Sequence, residues 1–394
     1  MFYTLSGVLF LYVVVRGILP LRVSRAWKIV FSALIFLCAF KVLIFRYFFG
    51  EGPALEASWQ ALALSAWANA AVVMLALFLV LRDLGLTAAL PLRRRRAGTG
   101  GTEKRDAGAA SGAEATEERA ARASRRGQGL IAAAAVLGGV GVWQGMRVPD
   151  VRRVTIFLPR LPAALEGVRL AQLSDLHISP AFPRECAQAV VERTNALKPD
   201  VTVITGDLID GTPQRRRHDV APLAALRARH GVFACVGNHE YYSGLKPWLR
   251  VFRQLGLVVL RNEHRVLRIN GERMVLAGVS DIVERRYGGK GPDVPRALAG
   301  SPKGAPRILL AHQPLEAGKN ARLGVDLQLS GHTHGGQIVP VNLLVAVLNN
   351  GYLKGLYTVG DMKLYVNPGT ALWGGFPVRL LVPSEITEIT LRRG

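Results

Sequence analysis

From Val168 onward, five short apolar runs each lead into residues able to hold a metal ion. Val168–Leu173 leads into Ser174-Asp175-Leu176-His177, and Val201–Ile204 into Gly206-Asp207-Leu208-Ile209-Asp210. Val232–Val236 leads into Gly237-Asn238-His239-Glu240, and Ile308–Ala311 into His312. Val325–Leu329 leads into Gly331-His332-Thr333-His334-Gly335-Gly336. A set of carboxylate, imidazole and amide oxygen suits Zn, Mn or Fe better than Ca or Mg alone. Asp175 and His177 stand two apart, as do His332 and His334, so on extended backbone each pair projects to one side. Asp175, His177, Asp207, Asn238, His312, His332 and His334 are too many ligands for one ion. Two ions about 3.5–4 Å apart that share a carboxylate match the set, and that spacing serves in-line displacement at phosphorus.

Taken singly, each piece has a plain explanation. Asp175 reads as a turn residue, His312 as a hydrogen-bonded core histidine, and Gly-Asp-x-x-Asp as a turn or helix cap. Gly-Asn-His-Glu and Gly-His-Thr-His-Gly-Gly resist that explanation, because they put several polar groups beside buried strands at a real desolvation cost. His218, His230 and His264 join no cluster and read as surface or core histidines.

In this order the motifs resemble those of the calcineurin-like metallophosphoesterases, over about Val168 to Leu391. The Ser-Gly-His-Thr-His-Gly-Gly-Gln-Ile run at Ser330–Ile338 is most similar to bacterial membrane-associated phosphoesterases with several N-terminal spans. The resemblance implies an α/β fold, a β-sandwich flanked by helices. It implies two divalent or mixed-valence ions (Mn, Fe or Zn): one held by Asp175, His177, Asp207 and His334, the other by Asp207, Asn238, His312 and His332. The expected chemistry is hydrolysis of a phosphate ester by a hydroxide bridging the ions. His239 is next to a ligand without being needed as one, which suits it to stabilise the transition state and protonate the leaving group. Asp210 is placed to orient His239. Glu240 stands where many members have Asp, which suggests a difference on the substrate side.

The elements that must position these groups are legible as alternation. Apolar runs separated by helical or loop segments, with Met274–Val279, Lys363–Val366 and Ile386–Leu391 added to those above, indicate an α/β domain with a largely buried sheet. Ligands in such domains gather beyond the carboxyl ends of the strands.

Ahead of this domain the texture differs. Half of the 394 residues are hydrophobic, and mean hydropathy is positive. Four apolar stretches, Phe2–Leu19, Trp27–Phe49, Ser58–Leu81 and Leu130–Met146, suggest an all-α transmembrane region of about four helices. The expected organisation is three spans in residues 1–92, a disordered basic cytoplasmic loop over 93–128, a fourth span over 129–147, and a catalytic domain over 150–394. Arginine-rich loops on both sides of the second and third stretches stay in the cytoplasm, which puts the catalytic domain outside a multi-pass cell-membrane anchor. Ser124-Arg125-Arg126 gives a weak export-signal hint. The net charge of +22 is spread without an aromatic-interleaved basic motif, so no nucleic-acid partner is expected. Three cysteines without a CxxC pair indicate neither a thiolate site nor a disulfide framework.

The expected partners are a phosphoester substrate, amphiphilic in character, and membrane lipids. A short tether to the last span and the residues near the later motifs (Tyr241, Tyr242, Trp248, Tyr352, Leu353, Leu356, Tyr357, Trp373 and Phe376) favour a phosphoester at the membrane surface, such as a phospholipid or lipid-linked phosphate, with a phosphodiesterase as the leading reading. The alternatives are a monoesterase of soluble substrates and, in a different class, a non-catalytic metal-binding membrane scaffold. A degenerate scaffold would have lost ligands or His239, and none is lost.

Overall fold

The computed structural model describes residues 2–49, 58–97, 109–372 and 378–394. The chain divides into two compact units, Met1–Val142 and Trp143–Gly394.

The first unit is helical. α1 (Phe2–Val13) runs on into a π-helical turn, Val14–Ile18, and is followed by α2 (Arg25–Phe49), α3 (Trp59–Ala97) and α4 (Ala109–Met146). Among the described residues, Trp59–Ala88 and Thr116–Met146 are long and apolar enough to cross a membrane; the apolar part of the first helix, Gly7–Ile18, is shorter. The expectation of about four spans is thus met by two helices on length and composition. The expected disordered loop over 93–128 is corrected at both ends. Residues up to Ala97 continue α3, and α4 begins at Ala109. Ala, Glu and Arg are strong helix formers even without an apolar period, which is why the pattern misled. Polar contacts join these helices: the Asp83 carboxylate accepts from Tyr12 Oη at 3.0 Å and from Arg16 Nε at 2.8 Å, and Trp67 Nε1 donates to Ala135 O at 2.8 Å.

Among its described residues, the second unit holds twelve strands in two mixed sheets of six. In chain order they are β1 (Asp150–Leu158), β2 (Arg169–Leu173), β3 (Val201–Thr205), β4 (Val232–Cys235), β5 (Val258–Val259), β6 (Glu263–Ile269), β7 (Glu272–Gly278), β8 (Arg307–Leu310), β9 (Leu327–Ser330), β10 (Gly355–Val359), β11 (Met362–Val366) and β12 (Glu385–Arg393). The first sheet runs β1-β12-β2-β3-β4-β5 and the second β10-β11-β9-β8-β7-β6. β2, β3 and β4 are mutually parallel, as are β7, β8 and β9. Their near-continuous apolar sequences fit strands covered on both faces.

Leu170, Val203 and Phe233 from the first sheet pack with Leu276, Ile308, Leu310 and Leu329 from the second, forming one core between the sheets. The other face of the first sheet is closed by α5 (Arg184–Ala196) and α6 (Leu245–Gln254), whose Val190, Val191, Trp248 and Phe252 pack on Leu173, Ile204 and Ala234. A further layer containing Val294, Ala297 and Ala317 covers the second sheet. Each fully buried Leu, Ile or Phe contributes roughly 1.5–3 kcal/mol. Trp248 is fully buried here, so it is a core residue and not part of an interfacial rim. Trp373 and Phe376 lie outside the described residues. Cys186 and Cys235 are both free thiols.

One helix escaped the expected pattern altogether. α7 (Asn342–Leu348) follows directly on the Gly331–Gln337 loop and has no buried residue.

Candidate metal centre

β2, β3 and β4 bring Asp175, His177, Asp207, Asp210, Asn238 and His239 to one end of the first sheet, while β8 and β9 bring His312, His332 and His334 from the second. The local backbone is unusual. Asp175, His177, Asp207, His332 and His334 all have positive φ, between 40° and 71°. Each such non-glycine residue costs on the order of 1–3 kcal/mol, and strain of this kind gathers where function requires it. Two glycines permit close approach: a Cβ on Gly237 would collide with the Asp207 carboxylate, and one on Gly331 with that of Asp175.

The donor atoms converge. His177 Nε2 lies 3.1 Å from His334 Nε2, and His334 Nε2 lies 3.5 Å from Asp175 Oδ1. His312 Nε2 lies 3.2 Å from His332 Nδ1 and 3.1 Å from Asn238 Oδ1. Asp207 Oδ2 sits between the two groups, 3.2 Å from His312 Nε2 and 3.7 Å from His177 Nε2. Asp175, His177 and His334 form one group whose possible ligand atoms lie within 4.8 Å of one another, Asp207, His312 and His332 form another, and His177, Asp210 and His239 a third. All seven candidate ligands from the sequence are therefore brought together. Thr205 O holds Nδ1 of His312 at 2.7 Å, so its Nε2 is the ring nitrogen turned toward His332, Asn238 and Asp207, and carboxylate, imidazole and amide oxygen atoms gathered in this way are a set that a cation can join. The donor set thus fits metal.

Electrostatics agree. Burial opposes charge on Asp207, yet His312, His239 and His177 outweigh it and hold its carboxyl well below the usual range. Burial pushes Asp175 up. Burial and then the neighbouring His312 push His332 down to about 3, and burial and then His177 lower His334 well below the ordinary imidazole value. Neutral imidazole is the form that ligates, and His332 and His334 are held in it, whereas at His312 burial opposes charge but the Asp207 and Asp175 carboxylates outweigh it and push the imidazole well above its ordinary value without a metal.

His239 stands at the edge of this centre. Its Nδ1 is 2.5 Å from Asp210 Oδ1, and its backbone N–H donates to Asp207 Oδ1 at 2.9 Å. Burial opposes its charge, but Asp207 and Asp210 prevail and push it up to about 9. Asp210 Oδ2 also lies 3.2 Å from His177 Nδ1, so one carboxylate faces two imidazoles. The exposed ring of Tyr242 meets His239 edge-on.

Two residues have roles that sequence reasoning misassigned or missed. Glu240 is fully buried, and its carboxylate accepts from the backbone N–H groups of Gly237, Asp207 and Leu208 at 2.7, 3.0 and 2.7 Å. It holds the ligand loops of β3 and β4 together and does not face substrate, so the expected difference on the substrate side is withdrawn. Arg379 is fully buried, and its guanidinium donates to the carbonyls of Pro368 and Ala371 at 2.7 Å each and to that of His334 at 3.2 Å. It fastens the His334 loop to the segment after β11. No motif marks it in the sequence. His264 Nδ1 donates to Ala297 O at 2.7 Å, and His218 is exposed; neither joins the centre.

The model for the calcineurin-like phosphoesterase family matches residues 168–336. An uncharacterized metallophosphoesterase of Bacillus subtilis is 33% identical over 245 residues, covering 60% of this chain and 84% of that protein. The chain belongs to the calcineurin-like phosphoesterase family. A zebrafish transmembrane protein with a metallophosphoesterase domain is 40% identical over 269 residues, 66% of this chain. The chain spans 61% of the length of that relative. Among solved structures, a 5'-nucleotidase precursor from Thermus thermophilus is similar with a TM-score of 0.38 and 18% identity, over 57% of this chain and 55% of that one. The candidate ligand clusters all lie within the matched region.

Proposed function

We propose that this metallophosphoesterase is membrane-anchored and hydrolyses a lipid or lipid-linked phosphodiester at a dinuclear centre. Asp175, His177, Asp207 and His334 would hold one ion, and Asp207, Asn238, His312 and His332 the other. The observation that carries the reading is the position of Asp207 Oδ2 between His177 Nε2 and His312 Nε2, which suits a carboxylate shared by two ions. Ions held there would supply charge neutralisation for the phosphoryl oxygens and a nucleophilic water at neutral pH; Mn, Fe and Zn all suit this donor set.

The chain's own residues supply the rest. Asp210 holds Nδ1 of His239 and so leaves Nε2 to face the leaving group. His239, kept protonated by Asp207 and Asp210, donates its proton to the departing alkoxide. The Asp207 carboxylate fixes the backbone of His239 and thereby the distance between acid and centre. Protonation matters most for a poor leaving group, such as the alcohol of a natural ester.

The anchor reading is supported by the two apolar helices, and the arginine-rich flanks favour an extracytoplasmic domain. The test assays the full-length protein against phosphomonoesters and phosphodiesters, soluble and vesicle-borne, with Mn, Fe or Zn added. A preference for the vesicle-borne diester is expected. Equal turnover of soluble and lipid esters would reject the lipid substrate, and a preference for monoesters the diester assignment. Protease added to intact cells should digest the domain after residue 150; protection would reverse the topology.

A further inference from the structure

α7 (Asn342–Leu348) is an oddity in a folded domain. Leu343, Leu344, Val347 and Leu348 are 66%, 62%, 76% and 67% exposed, and together they form one side of the helix. Val339 and Val341 just before it are also exposed, as is Leu381, whose neighbour Leu380 bridges to Ile338. No charged residue occurs from Ile338 through Leu353, in a chain that is 20% charged. A soluble surface does not usually present so continuous an apolar patch without a partner.

The patch is closely linked to the metal centre. The Cα of Asn342 stands so close to Gly336 that no side chain could be placed there, and Asn342 N donates to Ile338 O at 2.8 Å. α7 therefore continues the loop that carries His332 and His334. The first charge after the apolar run is Lys354, which is exposed and whose Cδ lies 3.3 Å from where a Cβ on Gly335 would stand. An apolar helix, a cation and the candidate ligands thus follow one another in a short space.

We infer that α7 with Val339, Val341 and Leu381 is an interfacial element that inserts into the surface of a lipid bilayer and seats the metal centre against it. Three observations select a bilayer over a second copy or a peptide. The helix has seven residues, too few to cross a membrane, and its apolar side is left exposed by the domain, as an interfacial helix requires. The same chain carries two helices long and apolar enough to span, and only Arg147, Val148 and Pro149 separate α4 from β1. The charge is complementary as well: residues 150–394 hold 32 Lys and Arg against 20 Asp and Glu, and Lys354 stands where an anionic headgroup would lie beside the centre. The inference rests on the membrane reading above but not on the substrate.

The test needs neither metal nor turnover. Native full-length protein is reconstituted into phosphatidylcholine–phosphatidylglycerol vesicles with a phospholipid carrying a diazirine in its acyl chain. After photolysis, adducts are mapped by peptide. Adducts on Leu343, Leu344, Val347 or Leu348 are expected beside those on α3, and they should disappear in the Leu344→Asp, Leu348→Asp variant while those on α3 remain. Adducts on α3 with none between residues 338 and 353 would overturn the inference, whether water or a second copy covers the helix. Hydrolysis of lipid esters is scored separately, so adducts without lipid turnover would refute the substrate and leave the seat.

Discussion

The first sheet delivers carboxylates, an amide, the His177 imidazole and the proposed acid to the centre, whereas the second delivers imidazoles alone. The two sides are supported differently. Behind the first stands another carboxylate, Glu240, gathering three backbone N–H groups; behind the second stands a cation, Arg379, gathering carbonyls. The carboxylate charge that two cations need is thus concentrated on β2–β4, and the buried guanidinium on the other side is satisfied by backbone carbonyls. This division teaches that equal-looking ligands have unequal consequences when removed.

The largest effect is expected at Asp207, the one carboxylate between both clusters. Asp207→Asn should strip at least one ion and abolish hydrolysis, measured by metal analysis and turnover. Two ions and wild-type turnover in that variant would refute the site assignment. Next comes His239, on the same side but not a proposed ligand. His239→Ala should retain both ions and lose about 10²–10⁴ in rate, with a smaller loss on esters of nitrophenol. Loss of metal instead would make His239 a ligand.

On the imidazole side, Arg379→Lys should weaken metal affinity by about 10–100-fold, the usual effect of disturbing a ligand's support. Arg379→Ala leaves buried carbonyls unpaired and should cost roughly 3 kcal/mol of stability in denaturant unfolding. If it costs nothing, the loop after β11 does not depend on the guanidinium.

The smallest effect concerns pH in the chelator-treated protein. His239 is raised from 6.5 to about 9, so its contribution to stability is fully present below 6.5 and fades as pH rises through about 9. Asp210 is depressed, so its share is present above its ordinary value of 3.8 and is lost on acidification. Asp210→Asn should flatten the alkaline slope of unfolding free energy against pH; an unchanged slope would assign it to another group.

Much of the centre was legible because β2, β3, β4, β8 and β9 are short buried runs that each stop at a polar cluster, a pattern that packing alone does not explain. β1, β6 and β10 were not. β1 carries Arg152 and Arg153 and lies at a sheet edge, and β6 alternates Arg265, Val266, Leu267 and Arg268, so neither shows a solid apolar run. Ala-rich α4 lacks the period that betrays an amphipathic helix. Arg379 acts through carbonyl contacts that any arginine could make, and only the fold reveals that this one is buried. α7 was invisible for the opposite reason: its composition is that of a core segment, and only its exposure marks it.

The strand order carries a consequence for synthesis. β12 lies between β1 and β2, pairing parallel to one and antiparallel to the other, with Thr387 opposite Gln172. A nascent chain that has made β1 through β11 therefore holds two unsatisfied strand edges around an empty slot, and such edges recruit other chains. The ribosome must deliver residues 385–393 before the sheet bearing Asp175 can close. A stop codon anywhere upstream of them would remove an interior strand, not a tail, and expose the remainder to aggregation and quality control.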